Sequence, residues 1–173
     1  MDKVYDILII ILPSLIVFLT AFYIIRNFME NEQKKRLLEL RKDTQKTIIP
    51  IRLQAYERAA LFLERISPDA LITRVHNNGM SARLLQAELL KTVRSEFDHN
   101  LSQQIYMSDN AWARVKNAKE ETLKLVNLAS SKVRDDGSGI DLSKVILKMS
   151  LHVDQLPARL ALEYIKKEIR QSF

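Results

Sequence analysis

The chain has 173 residues, with 27 Lys and Arg against 21 Asp and Glu and a formal net charge of +6. Only 3 glycines and 4 prolines accompany 47% hydrophobic and 28% charged residues, which argues against disordered, collagen-like and turn-dense all-β classes. Cysteine is absent, so disulfide frameworks, thiolate catalysis and cysteine-bound metal sites are excluded. We therefore expect an all-α protein.

An apolar run lies close to the amino end of the chain. Residues 7–25 carry no charged side chain, and a helix of that length, at ~1.5 Å per residue, can cross a ~30 Å hydrocarbon layer. The acidic residues before the run do not fit the start of a cleaved signal peptide. The pattern predicts a transmembrane helix at 7–25 in a lipid bilayer, preceded by a short tail at 1–6.

Basic side chains are concentrated after this run. Lys3 is the only basic residue before it, whereas 26–52 contains eight basic and four acidic residues. Because basic flanks stay on the cytoplasmic side, the tail is expected outside and the rest of the chain in the cytoplasm. The sequence therefore predicts a single-pass protein of a bacterial inner membrane.

Residues 26–49 alternate charges of both signs at helical spacing, as in Glu30 with Lys34 and Glu32 with Arg36. Such pairs support a helix, and no glycine interrupts the segment, so we expect a continuous juxtamembrane stalk. Its basic residues are candidates for contact with anionic lipid headgroups or, with weaker support, with the ribosome or RNA. These candidate contacts are Lys34, Lys35, Arg36, Arg41 and Lys42.

Residues 50–134 are expected to form the core of a helical bundle. Pro50 predicts a break or kink and the start of a new helix, because its ring clashes with the preceding turn. Apolar residues at helical spacing then predict one amphipathic helix over 51–66. Ser67 is expected to cap a short helix after it, although 71–76 also fits an extended segment.

Two long amphipathic helices are predicted next. Ser81 is expected to cap a helix whose apolar spacing continues to Ile105, and Ser108 or Asp109 to cap the second. A connection of about three residues implies an antiparallel hairpin, at the centre of a cytoplasmic bundle of four to six helices. A flexible loop at 135–140 and a C-terminal helical pair at 141–173 follow, although 145–153 also fits a strand.

Two apolar residues are candidate partner contacts. Trp112 belongs to the residue types that dominate interface hot spots, although a tryptophan at the start of an amphipathic helix is more often part of the core. Leu61 lies on an otherwise polar helix face. If Leu61 clustered with Leu123 or Leu128, the patch would mark a docking surface.

Reactive clusters are scarce. Glu96 and His99 have the spacing of one half of a di-iron bundle site, but neither other histidine has a glutamate three positions before it. No Gly-rich phosphate loop is present. We therefore expect no enzyme activity, cofactor, metal or small-molecule substrate, and a metal-binding bundle enzyme stays as the less favoured alternative.

Three stretches carry a resemblance to a known family. They read IRLQAYERAALFLERISP from residue 51, LLQAELLKTVRSEFDHNLSQQIYMS from residue 84 and AWARVKNAKEET from residue 111. Together with one apolar run before them, they resemble an uncharacterised family of small membrane-anchored proteins of Bacteroidota, over residues 5 to about 133. This resemblance implies a location and an architecture but no activity.

Residues 53–173 contain 18 basic and 15 acidic side chains. This balance is too even for general nucleic-acid binding, which needs a concentrated basic stripe. We expect a non-enzymatic accessory or scaffold subunit of a larger inner-membrane complex, which docks other membrane-protein subunits through its cytoplasmic helical domain. The alternative is contact with the ribosome, RNA or anionic lipid through the basic stalk.

Overall fold

The computed structural model describes residues 2–151 and 156–172, and the side chains of 2–14, 37–38, 40–45 and 172 lie outside that description. All regular elements in these ranges are helical, and the one β contact there is an isolated bridge between Ser81 and Ser138. The prediction of an all-α protein is confirmed.

Six α-helices and one 3₁₀ helix follow each other along the described chain. They are α1 (Asp2–Arg65), α2 (Pro68–Val75), α3 (Ala82–His99), the 3₁₀ helix Leu101–Ile105, α4 (Asp109–Ser130), α5 (Gly139–Leu151) and α6 (Pro157–Ser172). The chain divides into two compact units, Met1–Ile49 and Pro50–Phe173, and α1 contributes to both.

Pro50 does not end a helix. Helix α1 continues through it to Arg65, so the predicted break and new element are wrong. A proline removes only one donor from the helical ladder. Because Pro50 is exposed, water can satisfy the carbonyl that loses this donor.

Helix α2 starts as predicted but without the predicted cap. The hydroxyl of Ser67 donates to the carbonyl of Glu64 at 2.7 Å and makes no capping bond. The helix extends to Val75, so the extended alternative is wrong for 71–75, whereas His76 has an extended backbone.

The caps of the two long helices are confirmed. The hydroxyl oxygen of Ser81 accepts from the Leu84 amide at 3.2 Å, and that of Ser108 accepts from the Ala111 amide at 3.1 Å. Gln86 of α3 donates to Asn127 near the end of α4 at 2.9 Å. Phe97 near the end of α3 also stacks on Trp112 near the start of α4. The two helices therefore run antiparallel.

The connection between α3 and α4 differs from the prediction. Helix α3 ends at His99 rather than Ile105, and the 3₁₀ helix follows instead of a loop of about three residues. The side-chain amide of Asn100 donates to the Glu96 carbonyl at 2.7 Å. Leu101 and Ile105 are 44% and 74% exposed, so no burial stabilises a longer helix there.

Helix α5 begins with a capping box that the sequence analysis missed. The Asp141 amide donates to the Ser138 hydroxyl oxygen at 3.2 Å, and the Ser138 amide donates to the Asp141 carboxylate at 3.1 Å. Hydrogen bonds from the Ser138 side chain and amide lower the pKa of Asp141. The helix extends to Leu151, so the strand alternative is wrong as far as that residue, while 152 and 153 lie outside the described residues.

Gly139 is required where α5 meets the loop before α3. A Cβ at this position would lie 3.0 Å from the Met80 carbonyl oxygen and 3.2 Å from the His76 ring. The Gly139 amide donates to that same carbonyl at 2.8 Å. A side chain here would push the two segments apart and lengthen this hydrogen bond.

No helix in the part of the chain that the structure describes is long and apolar enough to cross a membrane. The predicted transmembrane helix therefore gains no support from this finding. The side chains of 7–14, in the first half of the predicted span, and those of the predicted tail at 1–6 lie outside the described ones.

Candidate functional site

Helix α1 exposes an apolar segment over residues 15–29, which we call the apolar collar. Its large apolar side chains are between 52% and 68% exposed. They are Leu15, Ile16, Val17, Phe18, Leu19, Phe22, Tyr23, Ile24, Ile25, Phe28 and Met29. Because consecutive helical residues point in different directions around the axis, the apolar side chains of the collar lie on all sides of the helix, and the exposed Arg26 and Asn27 interrupt them near its end. Water is a poor environment for such a surface.

The predicted basic contacts follow the collar. Lys34, Lys35 and Arg36 are exposed, and Arg36 lies 3.7 Å from Glu32 in a pair one helical turn apart. Exposed pairs of this kind contribute only ~0.3–0.5 kcal/mol, so this cation remains available to anions. The side chains of Arg41 and Lys42 lie outside the described ones.

Leu61 lines a groove of about 780 Å³ between α1 and α3. This α1/α3 groove has charges of both signs, since its lining includes Glu57, Arg58, Arg65, Glu88, Lys91 and Glu96. Leu61 is 55% exposed, and Phe62 is the one other large apolar side chain among the described lining residues of this groove.

Glu96 joins three helices at one end of this groove. Its carboxylate accepts from Arg65 at 3.2 Å and from Arg74 at 3.0 Å. His99 lies one turn further along the same groove. Among the residues that the structure describes, no group of three or more metal-ligating side chains is present.

Trp112 lies in the core. It is 7% exposed and stacks on Phe97 with ring centroids 5.4 Å apart. Phe97 in turn meets Phe62 edge-on at 5.8 Å, and the Lys119 ammonium lies 4.4 Å from the centre of the Phe97 ring. These contacts connect the end of α3 with the start of α4 and with α1.

Leu61 does not cluster with Leu123 or Leu128, so the condition for a docking surface at Leu61 is not met. Leu123 is 8% exposed, whereas Leu128 is 56% exposed. Leu128 lines a different groove from Leu61. Of the two predicted partner contacts, only Leu61 is therefore on the surface.

A polar network that the sequence analysis missed connects α1, α4 and α6. The hydroxyl of Tyr56 donates to Glu168 at 2.6 Å and accepts from the Ser108 amide at 3.2 Å. The hydroxyl of Ser108 donates to the second oxygen of Glu168 at 3.0 Å. Burial, followed by the hydrogen bond to Glu168, raises the pKa of Tyr56. The sequence did contain a hint of this network, because Tyr56 lies on an apolar helix face and a buried phenol needs a polar partner.

The fold and these surfaces define an all-α protein with an apolar collar and open grooves. The chain belongs to the family described as a family of unknown function (DUF7935), which matches residues 2–172. The match agrees with the resemblance to an uncharacterised family and extends it beyond residue 133. No curated protein and no solved structure matches the chain.

Proposed function

We propose that the chain is a non-enzymatic accessory or scaffold subunit of a larger membrane complex, anchored by a single transmembrane helix. The apolar collar on α1 is the observation that carries the proposal. Burying one large apolar side chain contributes ~1.5–3 kcal/mol, and nine of the eleven such side chains in the collar lie before Arg26, inside the predicted span 7–25. Lipid would bury all of them together.

The charge pattern supports the orientation that we propose. Residues 7–25 lack charge, and the basic residues that follow favour a cytoplasmic location for the remainder. This corresponds to a bacterial inner membrane with the N-terminus outside. The resemblance to proteins of Bacteroidota is in line with this location.

The helical unit 50–173 is the part that we propose docks the partner subunits. Two of its carboxylates hold helices together, since Glu96 is paired with two arginines and Glu168 accepts hydrogen bonds from Tyr56 and Ser108. Docking requires only a stable surface, so the proposal includes no cofactor, metal or small-molecule substrate.

Membrane integration can be tested by alkaline extraction and by protease treatment of intact spheroplasts. We expect the wild-type chain to stay in the membrane pellet and to be protected. Val17→Lys should weaken insertion, because a central lysine costs ~2.5–3.5 kcal/mol. Ile105→Lys, at an exposed site outside the collar, is the control. Release of the wild-type chain at alkaline pH would refute the anchor.

The scaffold role can be tested by purifying the native protein in mild detergent and identifying co-eluting proteins by mass spectrometry. We expect stoichiometric membrane-protein subunits that resist moderate salt. Elution as a lone monomer would contradict the scaffold role.

A second function, contact with an anionic surface, is supported by the exposure of Lys34, Lys35 and Arg36. Binding to anionic vesicles or to ribosomal RNA should then weaken steeply with salt, because counterions are released on binding. Reversing these three charges should remove the salt dependence, whereas reversing the exposed Lys116, Lys166 and Lys167 should not.

A further inference from the structure

The connection between α2 and α3 contains the single Asn-Gly pair of the chain, Asn78 followed by Gly79. Both residues are exposed. Asparagine is among the chemically labile residues of proteins. A following glycine increases this lability, because it has no Cβ to hinder the approach of its backbone nitrogen to the asparagine side chain. The pair reacts without an enzyme wherever the fold leaves both groups accessible.

The fold leaves both reacting groups of this pair unengaged. Among the described residues, no acceptor takes a hydrogen bond from the Gly79 amide. The side chain of Asn78 likewise makes no hydrogen bond to a described residue. A Cβ at Gly79 would have no atom within 4 Å, so this side of the turn is open to water.

The chain contains a second pair that can close the same ring, Asp136 followed by Gly137. Here the glycine amide is engaged, because it donates to the Arg134 carbonyl at 2.9 Å. This amide has to leave its acceptor before it attacks a side chain. A carboxylate carbon is also a poorer electrophile than an amide carbon. The structure therefore distinguishes the two pairs and favours reaction at Asn78.

The turn at Asn78 has to open before the two atoms meet, and weak contacts close it. The Met80 amide donates to the Asn77 carbonyl at 3.3 Å. The Asn77 amide donates to the Met80 sulfur at 3.3 Å, and sulfur is a weak acceptor. Water can replace both contacts at an exposed turn. Gly79, which has φ +85°, also reaches negative φ without steric cost, so other turn conformations are accessible.

We propose that Asn78 is a site of spontaneous deamidation. The Gly79 nitrogen loses its proton and forms a bond to Cγ of Asn78, and the Cγ–Nδ2 bond breaks with release of ammonia, which takes up the proton. Water then adds to one of the two carbonyl carbons of the resulting succinimide and opens the ring. The product is aspartate or isoaspartate, according to the bond that breaks. Either product adds a negative charge, and water is the only co-reactant.

Isoaspartate at this position inserts a methylene into the backbone close to Met80. The Met80 carbonyl accepts from the Gly139 amide at 2.8 Å, in a contact that has no room for a Cβ at Gly139. A longer backbone beside this contact displaces the carbonyl. We therefore expect isoaspartate to lengthen this hydrogen bond and to destabilise the start of α5. The modification does not depend on the proposed scaffold function.

Storage of the full chain in detergent at mildly alkaline pH, followed by proteolysis and mass spectrometry, tests the proposal. We expect residue 78 to gain the mass difference between an amide and a carboxyl, at a rate that rises with pH because the attacking nitrogen must lose its proton. Asn77, in the same connection but followed by asparagine, is the internal control. Its conversion should be at least about tenfold slower, which corresponds to ~1.4 kcal/mol of activation free energy. Equal conversion of Asn77 and Asn78 overturns the proposal.

Two synthetic peptides, of residues 74–83 and 132–141, separate the effect of the fold from the intrinsic reactivity of each pair. The Asn78 pair in the full chain should react within about tenfold of the rate in its peptide. The Asp136 pair should react more than about tenfold slower in the chain than in its peptide. Protection of the Asn78 pair equal to that of the Asp136 pair overturns the proposal.

Asn78→Gln tests the consequence for α5, because the longer side chain does not close the five-membered ring. Freshly purified Asn78→Gln should have the urea midpoint of fresh wild type. After storage the midpoint should fall for wild type, in proportion to its isoaspartate, and stay constant for Asn78→Gln. Equal midpoints of stored and fresh wild type, at high isoaspartate content, overturn the coupling to α5.

Discussion

The phenol of Tyr56 and the carboxylate of Glu168, 112 residues apart in the chain, are joined by a 2.6 Å hydrogen bond. Ser108 contacts both groups, through its amide to the phenol and its hydroxyl to the carboxylate. One partly buried cluster thus connects α1 to the capped start of α4 and to the last turns of α6. These hydrogen bonds join α6 to α1 as well as to the start of α4.

Tyr56→Phe should lower the free energy of unfolding by ~1–3 kcal/mol, because it leaves the Ser108 amide and one Glu168 oxygen without a partner. Urea denaturation of the full chain in detergent, followed by circular dichroism, measures the change. Tyr106→Phe, on a 40% exposed ring, should change stability by less than ~0.5 kcal/mol. Equal effects of the two variants would show that the hydrogen bond contributes nothing measurable.

Stability should fall at alkaline pH because of Tyr56. Its pKa is raised in the folded state, chiefly by burial, so folding favours the protonated phenol. The stabilisation is therefore fully present below the ordinary tyrosine pKa of about 10 and is lost as pH rises through the higher folded value. Denaturation midpoints measured across this range should fall more steeply for wild type than for Tyr56→Phe. If the pH profiles of wild type and Tyr56→Phe ran parallel, Tyr56 would not be the cause of the loss of stability at alkaline pH.

Trp112→Ala should destabilise the chain by ~3–5 kcal/mol, because it removes a buried aromatic ring that stacks on Phe97. Since Trp112 is the single tryptophan, circular dichroism rather than intrinsic fluorescence must follow unfolding. Leu61→Ala should stay within ~0.5 kcal/mol. Loss of partner binding by Trp112→Ala without loss of stability would instead assign Trp112 to an interface.

Glu96→Gln should cost ~1 kcal/mol, because it weakens the hydrogen bonds from Arg65 and Arg74 that join α1, α2 and α3. The loss should shrink as salt is added. Glu163→Gln, on a 60% exposed side chain 3.6 Å from Arg159, should cost less than ~0.5 kcal/mol. Urea denaturation measures both losses of stability. Equal losses for the two variants would show that the Glu96 pairs with Arg65 and Arg74 contribute no more than an exposed ion pair.

Local patterns in the sequence predicted the helices well where two signals agreed. Ser81 and Ser108 each precede an apolar run of helical spacing, and both cap the helices that follow. The predicted end of α3 was wrong, because apolar spacing alone does not extend a helix when no other part of the fold packs against it. Ile105 keeps the period of α3 but is 74% exposed, since the chain has already turned toward Ser108.

The sequence predicted the candidate surfaces less well than it predicted the helices. Exposure of Leu128 and burial of Trp112 depend on which helices lie beside α4, and a single helix pattern contains no such information. The groove that Leu128 lines combines residues of α4, α5 and the start of α6, which lie far apart in the chain. The Glu168 contact to Tyr56 likewise has no counterpart in local spacing.

The amino-acid sequence alone determined the all-helical class, the charge-free run near the amino end and the caps of α3 and α4, because these depend on neighbours within a few residues. Tertiary structure alone decided that Tyr56 finds Glu168, that Glu96 is engaged by two arginines, and that Leu128 and Leu61 line different grooves. The reason is physical: helical periodicity assigns a side chain to a face of its own helix, and only packing decides which faces meet.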